Sequence, residues 1–343
     1  MDGSYGEGGG QILRTAVAFS IALQRPIRVT NIRAGREVPG LRQQHASALE
    51  ILRDVSRARL EGCHVGSTEI AFVPGTGGGG RLSFDMKTAA SITLVLQAVV
   101  PAVALSRREL VLDLVGGTDV PWSPTFDYCV TVLRRGFAMI GIKFDAKAST
   151  RGYYPRGGGR VNVVVEACEE PKPLSLVDPG AKPKATVLSR CGSLPEHVAR
   201  RQLESSVATL SSRGVAVGET ISSLERSSSP GSSVLVYDTT GGRVAGSDAI
   251  GARGKAAELV GSQAAETFAD TLDSGACIDS NLADMVAPVL AMAKGESHLR
   301  IPAPTAHLDT SLHVAEIFTG CDYRVDRQGS SSLLTITPHA DRR

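Results

Sequence analysis

The sequence predicts an α+β fold in which three βαβαββ repeat units make one large domain, residues 1–182 and 275–343, and a smaller α/β domain, residues 183–274, is inserted in the third unit. Three observations predict it. The order helix, strand, helix, strand, strand recurs with a period of about 75 residues, the mark of an internal repeat. A glycine run, Gly77–Gly80 and then Gly157–Gly159, falls in the last strand pair of each of the first two copies. In the third copy the expected helix gives way to PKPLSLVDPGAKPKA, whose prolines and lysines read as a boundary.

In chain order, Gly10–Leu23 carries apolar residues at helical spacing, Ile27–Ile32 reads as a strand, and Leu41–Leu60 as an amphipathic helix. Glu69–Val73 and Arg81–Asp85 read as strands joined by the GTGGGG turn. The order returns with a helix from Ala89 to about Leu105, a strand at Glu109–Leu114, a helix at Pro124–Ile142 and two strands flanking the PRGGG turn. The inserted segment reads as strand Thr186–Arg190, helix Pro195–Ser212, strands near Val215–Leu224, Ser233–Tyr237 and Arg243–Ser247, and helix Gly254–Leu272. Helix Cys277–Ala293, strand His298–Ile301, helix Thr310–Gly320 and strands Tyr323–Arg327 and Ser331–Thr337 close the third unit.

The 343 residues suffice for a sizeable core, and 42% hydrophobic with 21% charged residues and a net charge of +2 excludes a disordered chain or a polyanion-coating tail. Six cysteines without a C-x-x-C pair or zinc-site spacing read as reduced thiols. MDGSYGEGGGQ lacks the charged and apolar regions of a secretion signal, so a cytoplasmic location is expected. Thr88–Leu105 approaches the length of a membrane span, but Gln97 and Pro101 interrupt it and a buried helix is expected. Of the 37 basic residues only 8 are Lys, and residues 1–60 hold nine Arg, no Lys and five acids. Arg presents a planar fork that grips phosphate through paired hydrogen bonds.

Three constellations carry chemistry. DGSYGEGGGQILR, from Asp2 to Arg14, sets five glycines around Glu7 and leads into a helix; such a tract either cradles phosphate with backbone N–H groups or makes a plain tight turn. It fits neither a P-loop nor a dinucleotide fingerprint. TNIRAGREVPGLRQQH places Arg33, Arg36 and Arg42 on a loop between strand and helix, where they meet an anion or are neutralised by neighbours such as Glu37 and by solvent. Aromatic residues are only 4% of the chain, which favours the end of a nucleic acid over its body. TAHLDTSLHVAE puts His307 just before a helix start, as a nucleophile or as a structural histidine; His313, six residues on, cannot share a metal with it from one helix.

Taken in order, GEGGGQILR, IRAGR, PGLR-x-QH, SITLVLQ, GGTD-x-P-x-SP, YYPRGGG, LAD and HL-x-T make the chain resemble the RNA 3'-terminal phosphate cyclase family from Gly6 to about Thr310. The resemblance implies units like the C-terminal domain of translation initiation factor 3. It also implies ATP-dependent conversion of an RNA 3'-phosphate to a 2',3'-cyclic phosphate, with release of AMP and diphosphate and the help of a divalent cation, Mg2+ or Mn2+. Carried over, His307 is the nucleophile that holds AMP, and Glu7 lies near the nucleotide phosphates and the metal. Arg14, Gln97 and the run Asn281, Leu282, Ala283, Asp284 and Met285 bind ATP, while Arg33, Arg36, Arg42 and Gln44 hold the RNA phosphate. The chain departs from the family pattern at DMKTAAS, at Ser311, in the serine-rich SSSPGSS, and at Asn281, which cannot stack on a purine as an aromatic ring would. Two alternatives stand beside this reading: a non-catalytic relative that binds RNA in ribosome assembly, which lacks the nucleophilic histidine, and a sugar-enolpyruvyl transferase, which leaves IRAGR and HL-x-T unexplained.

Overall fold

The computed structural model describes residues 1–6 and 8–339. Apolar spacing builds α1 (Gly10–Leu23), and the chain continues through β1 (Ile27–Val29), α2 (Gln43–Ser56), β2 (Arg59–Glu61) and β3 (Ile70–Val73). These strands form an antiparallel sheet of order β1-β3-β2, and Asp2 makes a parallel bridge to Thr30 just beyond β1. Next come β4 (Gly80–Asp85), α3 (Ile92–Leu105) and β5 (Leu110–Gly116). A helical stretch follows, made of α4 (Phe126–Tyr128), a π turn (Cys129–Leu133) and α5 (Arg134–Met139), and then β6 (Phe144–Thr150) and β7 (Gly159–Val165). The second sheet has the order β4-β5-β7-β6, with β4 and β5 parallel and the other pairs antiparallel. β5 and β7 alternate strictly, so Leu110, Leu112 and Leu114 with Val161, Val163 and Val165 are buried on one face of the sheet.

After β8 (Ser175–Leu176) the chain runs through β9 (Lys184–Gly192), α6 (His197–Ser212), β10 (Ala216–Leu224), β11 (Gly231–Asp238), β12 (Ala245–Ile250) and α7 (Ala257–Asp273). It then returns as α8 (Ser280–Leu290), β13 (Ser297–Ile301), α9 (Ala306–Thr319), β14 (Asp322–Gln328) and β15 (Ser331–Thr337). β8 pairs parallel with β13, and the order β8-β13-β15-β14 repeats that of the second sheet in both sequence and sense. The segment between β8 and α8 has its own sheet, β10-β9-β11-β12, with α6 and α7 packed on it and on each other. Strand alternation divides its apolar residues: Val187 and Val236 face Leu210, Val260 and Phe268, whereas Leu188 and Leu235 join the main core.

Three sequence expectations are corrected. β4 does not form a hairpin with β3; β2, expected inside the helix Leu41–Leu60, is the partner of β3, and β4 opens the second sheet. The reason lies in the glycine run. Gly78, Gly79 and Gly80 all have positive φ, and a Cβ on Gly78 or Gly79 would lie 2.1 Å from the Val55 carbonyl oxygen or 2.5 Å from that of Glu109. The run therefore threads between the end of α2 and the start of β5, as a crossing between sheets. The Pro/Lys-rich boundary contains the short strand β8. Finally, α9 starts at Ala306, because Thr305 caps it by accepting the Leu308 N–H at 2.9 Å, and His307 stands on its first turn.

A buried polar seam fastens the β9–α7 segment to the rest. Arg151, at the end of β6, donates to Asp127 at 2.7 Å and to Asp119 at 3.4 Å; Asp127 also accepts from Arg190 of β9, which reaches on to Glu225. The GYYPRGGG and SSSPG turns meet there, with Ser228 bonded to the Arg151 carbonyl and Ser229 to the backbone of Tyr153. Asp279, the N-cap of α8, accepts from the Leu282 N–H, the Tyr128 hydroxyl and the Gly246 N–H of β12. No helix among the described residues is long and apolar enough to cross a membrane. Replacing Arg151 with Met leaves buried Asp119 without its cation and Asp127 with Arg190 alone, and urea denaturation should record a loss of about 3–5 kcal/mol; a loss under 1 kcal/mol would contradict this account of the seam.

Candidate active site

α1, α3 and α8 are largely apolar helices, and each carries a few polar residues that face a common cleft of about 380 Å³. Gln11 and Arg14 come from α1, Gln97 from α3, and Asn281, Asp284 and Met285 from α8. The first turn of α9 adds His307, the loop 120–125 forms one lip, and Asp248 to Ile250 of β12 form the wall that adjoins this lip. The cleft is thus built from α1, α3, α8 and the first turn of α9 together with β12 of the β10-β9-β11-β12 sheet.

Helical phase decides which residues of α8 take part. Positions 281, 284 and 285 share a face, and Leu282 and Ala283, expected to bind ATP, are 0% and 1% exposed. They turn into the core, where Leu282 packs on Gly136, and do not line the cleft. Asp284 accepts from the Thr305 hydroxyl at 2.6 Å, so α8 holds the cap of the helix that presents His307. His307 itself is exposed. Arg14 donates to Gln11 at 2.8 Å, and the Gln11 amide donates to Ser311 of α9 at 3.0 Å, which gives Ser311 a role that its departure from the family pattern left open. His313 is elsewhere, stacked on Tyr5 with ring centroids 3.7 Å apart.

The glycine tract lies against the same helices. Gly6 has φ +62°, and a Cβ there would come within 2.3 Å of the Thr310 hydroxyl; one on Gly10 would lie 2.5 Å from His45 Nε2. Gly9, at the N-cap of α1, has no side chain to satisfy the first N–H groups, and the first turn of α1 has no acid. Glu7, expected to bind ATP and the metal, lies outside the described residues. Among the described residues, no three His, Cys, Asp or Glu side chains come together as a metal site.

The arginine loop adjoins the cleft without lining it. Arg33 adopts φ +56° and spends Nη1 on the Val38 and Gly40 carbonyls, closing its own loop. Burial, then Arg42 and Arg36 nearby, lower its pKa. Gln44 borders a small crevice shared with Arg14 and His45. His45 went unnoticed as a functional residue in the sequence, although it closes the PGLR-x-QH motif. It is buried, its Nδ1 accepts the Arg42 N–H at 3.1 Å, and burial followed by Arg14, Arg33 and Arg42 pushes its pKa down to about 3. A neutral ring whose Nδ1 accepts carries its proton on Nε2, so His45 offers one N–H donor among three guanidiniums. Asp248 was equally unmarked; it accepts the Thr125 N–H, and burial raises its pKa to about 6.

Such a cleft, lined by an arginine, amide side chains and an exposed histidine beside the uncapped start of α1, defines a class of α+β protein suited to phosphate esters. The family model for RNA 3'-terminal phosphate cyclase matches residues 5–325, and the chain belongs to that family. The RNA 3'-terminal phosphate cyclase of Hyperthermus butylicus is 43% identical to it over 326 residues, 92% of this chain and 90% of the relative. Those of Thermococcus kodakarensis and Pyrococcus furiosus are 42% and 40% identical, each over 95% of this chain and 94% of the relative.

The His45 pKa makes a pH prediction. A depressed folded-state value means that its contribution to stability is complete above its ordinary value of 6.5 and is lost as the pH falls toward 3. Between pH 6.5 and 5 the natural protein should lose about 2 kcal/mol more than His45→Gln in urea titrations; parallel curves would show that the ring is not buried neutral.

Proposed function

We propose that this protein converts an RNA 3'-terminal phosphate to a 2',3'-cyclic phosphodiester, using ATP and a covalent AMP on His307. The observation that carries this reading is the location of His307 on the rim of the cleft that also holds Arg14, Gln97, Asn281 and Asp284. The names of the relatives over nearly the whole chain support it.

In the first step a ring nitrogen of His307 attacks the α-phosphorus of ATP, a P–N bond forms, and diphosphate leaves. Arg14 and the N–H groups at the start of α1 face the phosphate charge, while the Thr305–Asp284 bond keeps α9, and so the ring, in line. An oxygen of the RNA 3'-phosphate then attacks the adenylyl phosphorus, the P–N bond breaks, and AMP passes to the RNA end. Finally the vicinal 2'-hydroxyl attacks the activated 3'-phosphorus and expels AMP. The nucleophile is already part of the substrate, so ring closure is effectively intramolecular. Arg33, Arg36, Arg42 and Gln44 hold the RNA phosphate beside Arg14, and His45 adds a neutral donor. Cations of the Mg2+ kind take one or two carboxylates and complete their shell with phosphate oxygens and water, which a cleft for a triphosphate supplies; such an ion would neutralise the leaving diphosphate, with Glu7 as its protein ligand.

The architecture belongs to the same proposal: residues 1–182 and 275–343 form three βαβαββ units, with residues 183–274 as the inserted domain. The shared strand order of the second and third sheets supports it. Six unpaired cysteines suit a reducing compartment, and we place the protein in the cytoplasm.

Incubation with α-labelled ATP and Mg2+ or Mn2+ should leave acid-labile AMP on the protein, and His307→Ala should abolish it; full labelling of that variant would rule out the covalent step. Arg36→Ala should raise KM for an RNA 3'-phosphate about tenfold while changing stability by no more than about 0.5 kcal/mol. Equal damage to melting and to activity would mean that Arg36 is structural.

A further inference from the structure

Trp122 is the single tryptophan of the chain, and it stands at the mouth of the cleft with 96% of its surface exposed. An indole is a large apolar surface, and leaving it in water forfeits the burial that usually retains such a residue. Its backbone is also costly. With φ +59° it occupies the left-handed region, where a bulky side chain is a genuine outlier. Such strain persists where the surrounding structure imposes it, and it clusters at ligand sites.

The surroundings impose it here. The loop that carries Trp122 is fastened on both sides. Asp119 accepts the Phe126 N–H and pairs with buried Arg151, the Pro124 carbonyl accepts from Thr93 of α3 at 2.8 Å, and the Thr125 N–H donates to Asp248 of the adjoining wall. The ring is therefore held out by a rigid frame. Apart from the His307 imidazole, every other side chain that lines the cleft supplies charge, an amide, a hydroxyl or aliphatic bulk, and Trp122 is its one large aromatic face among the described residues. Asn281 of α8 lines the same cleft and brings hydrogen-bonding groups without a ring.

We propose that Trp122 is the stacking surface for a nucleobase entering this cleft. The inference rests on the reading of the cleft as a nucleotide site and deepens it by naming the residue that supplies the π face. The base belongs either to ATP or to the RNA 3' end. In both cases the flat indole covers one face of the ring and tolerates any base, and Asn281 is left to meet an edge.

The single tryptophan makes the test direct. The full-length protein is titrated in separate arms with ATP, without metal to prevent turnover, and with a short RNA bearing a 3'-phosphate. Indole fluorescence and calorimetry are read together. One arm should give a saturable change in fluorescence, and that arm identifies the source of the base. For the same ligand, Trp122→Ala should raise Kd about tenfold, Trp122→Phe should recover most of the loss, and neither should move the melting temperature. Ligand heats with an unchanged Kd in Trp122→Ala, together with a silent indole, would overturn the stacking role alone. An absence of heat in both arms with the natural protein would overturn the nucleotide reading itself, and the stacking role with it.

Discussion

A polar side chain on a buried apolar helix must find a partner, and that requirement organises the cleft. α1, α3 and α8 are buried along most of their length, yet each carries polar groups that meet at one place. Asp284 answers the requirement by taking the Thr305 hydroxyl, and Arg14 and Gln11 answer it through Ser311. Both partners lie on or beside the first turns of α9. The bonds that satisfy the inner helices therefore also set the height and rotation of the helix that carries His307. The helix that carries His307 and the Arg14–Gln11 pair are parts of one hydrogen-bonded unit.

The wall contributed by β12 extends the same logic across the fold. Asp279 caps α8 and simultaneously accepts from β12, so the N-terminus of a cleft-forming helix and the sheet of the β9–α7 segment share one carboxylate. Asp248 does the equivalent for the lip by taking the Thr125 N–H. Both carboxyls are pushed up to about 6 by burial. Deprotonated, each would sit in an environment that disfavours its charge, and the backbone N–H groups that bond it offset part of that cost.

Much of the fold was legible because periodicity is local. α1, α3, β5, β7 and the boundaries of the β9–α7 segment follow from apolar spacing and from the Pro/Lys-rich break. The misassigned hairpin had a specific cause: a run of glycines is as compatible with a tight turn as with a chain squeezed past two carbonyls, and only the neighbours of Gly78 and Gly79 distinguish these. In the cleft, residues on recognisable motifs were within reach, whereas reading residues 281–285 as a block ignored helical phase and drew in Leu282 and Ala283. Asp248 had no local signal, because it matters through a wall made by a distant strand. Trp122 stands within GGTD-x-P-x-SP, which reads as turn chemistry, and its exposure is not encoded in composition.

β8 has only two residues and pairs with a strand more than a hundred positions later, across the whole β9–α7 segment. An edge that short has no independent stability, so the pairing of β8 with β13 depends on the β9–α7 segment being compact enough to bring the two within reach. α9, with His307, follows β13 in the chain, so the placement of its first turn in the cleft depends on the same long-range closure.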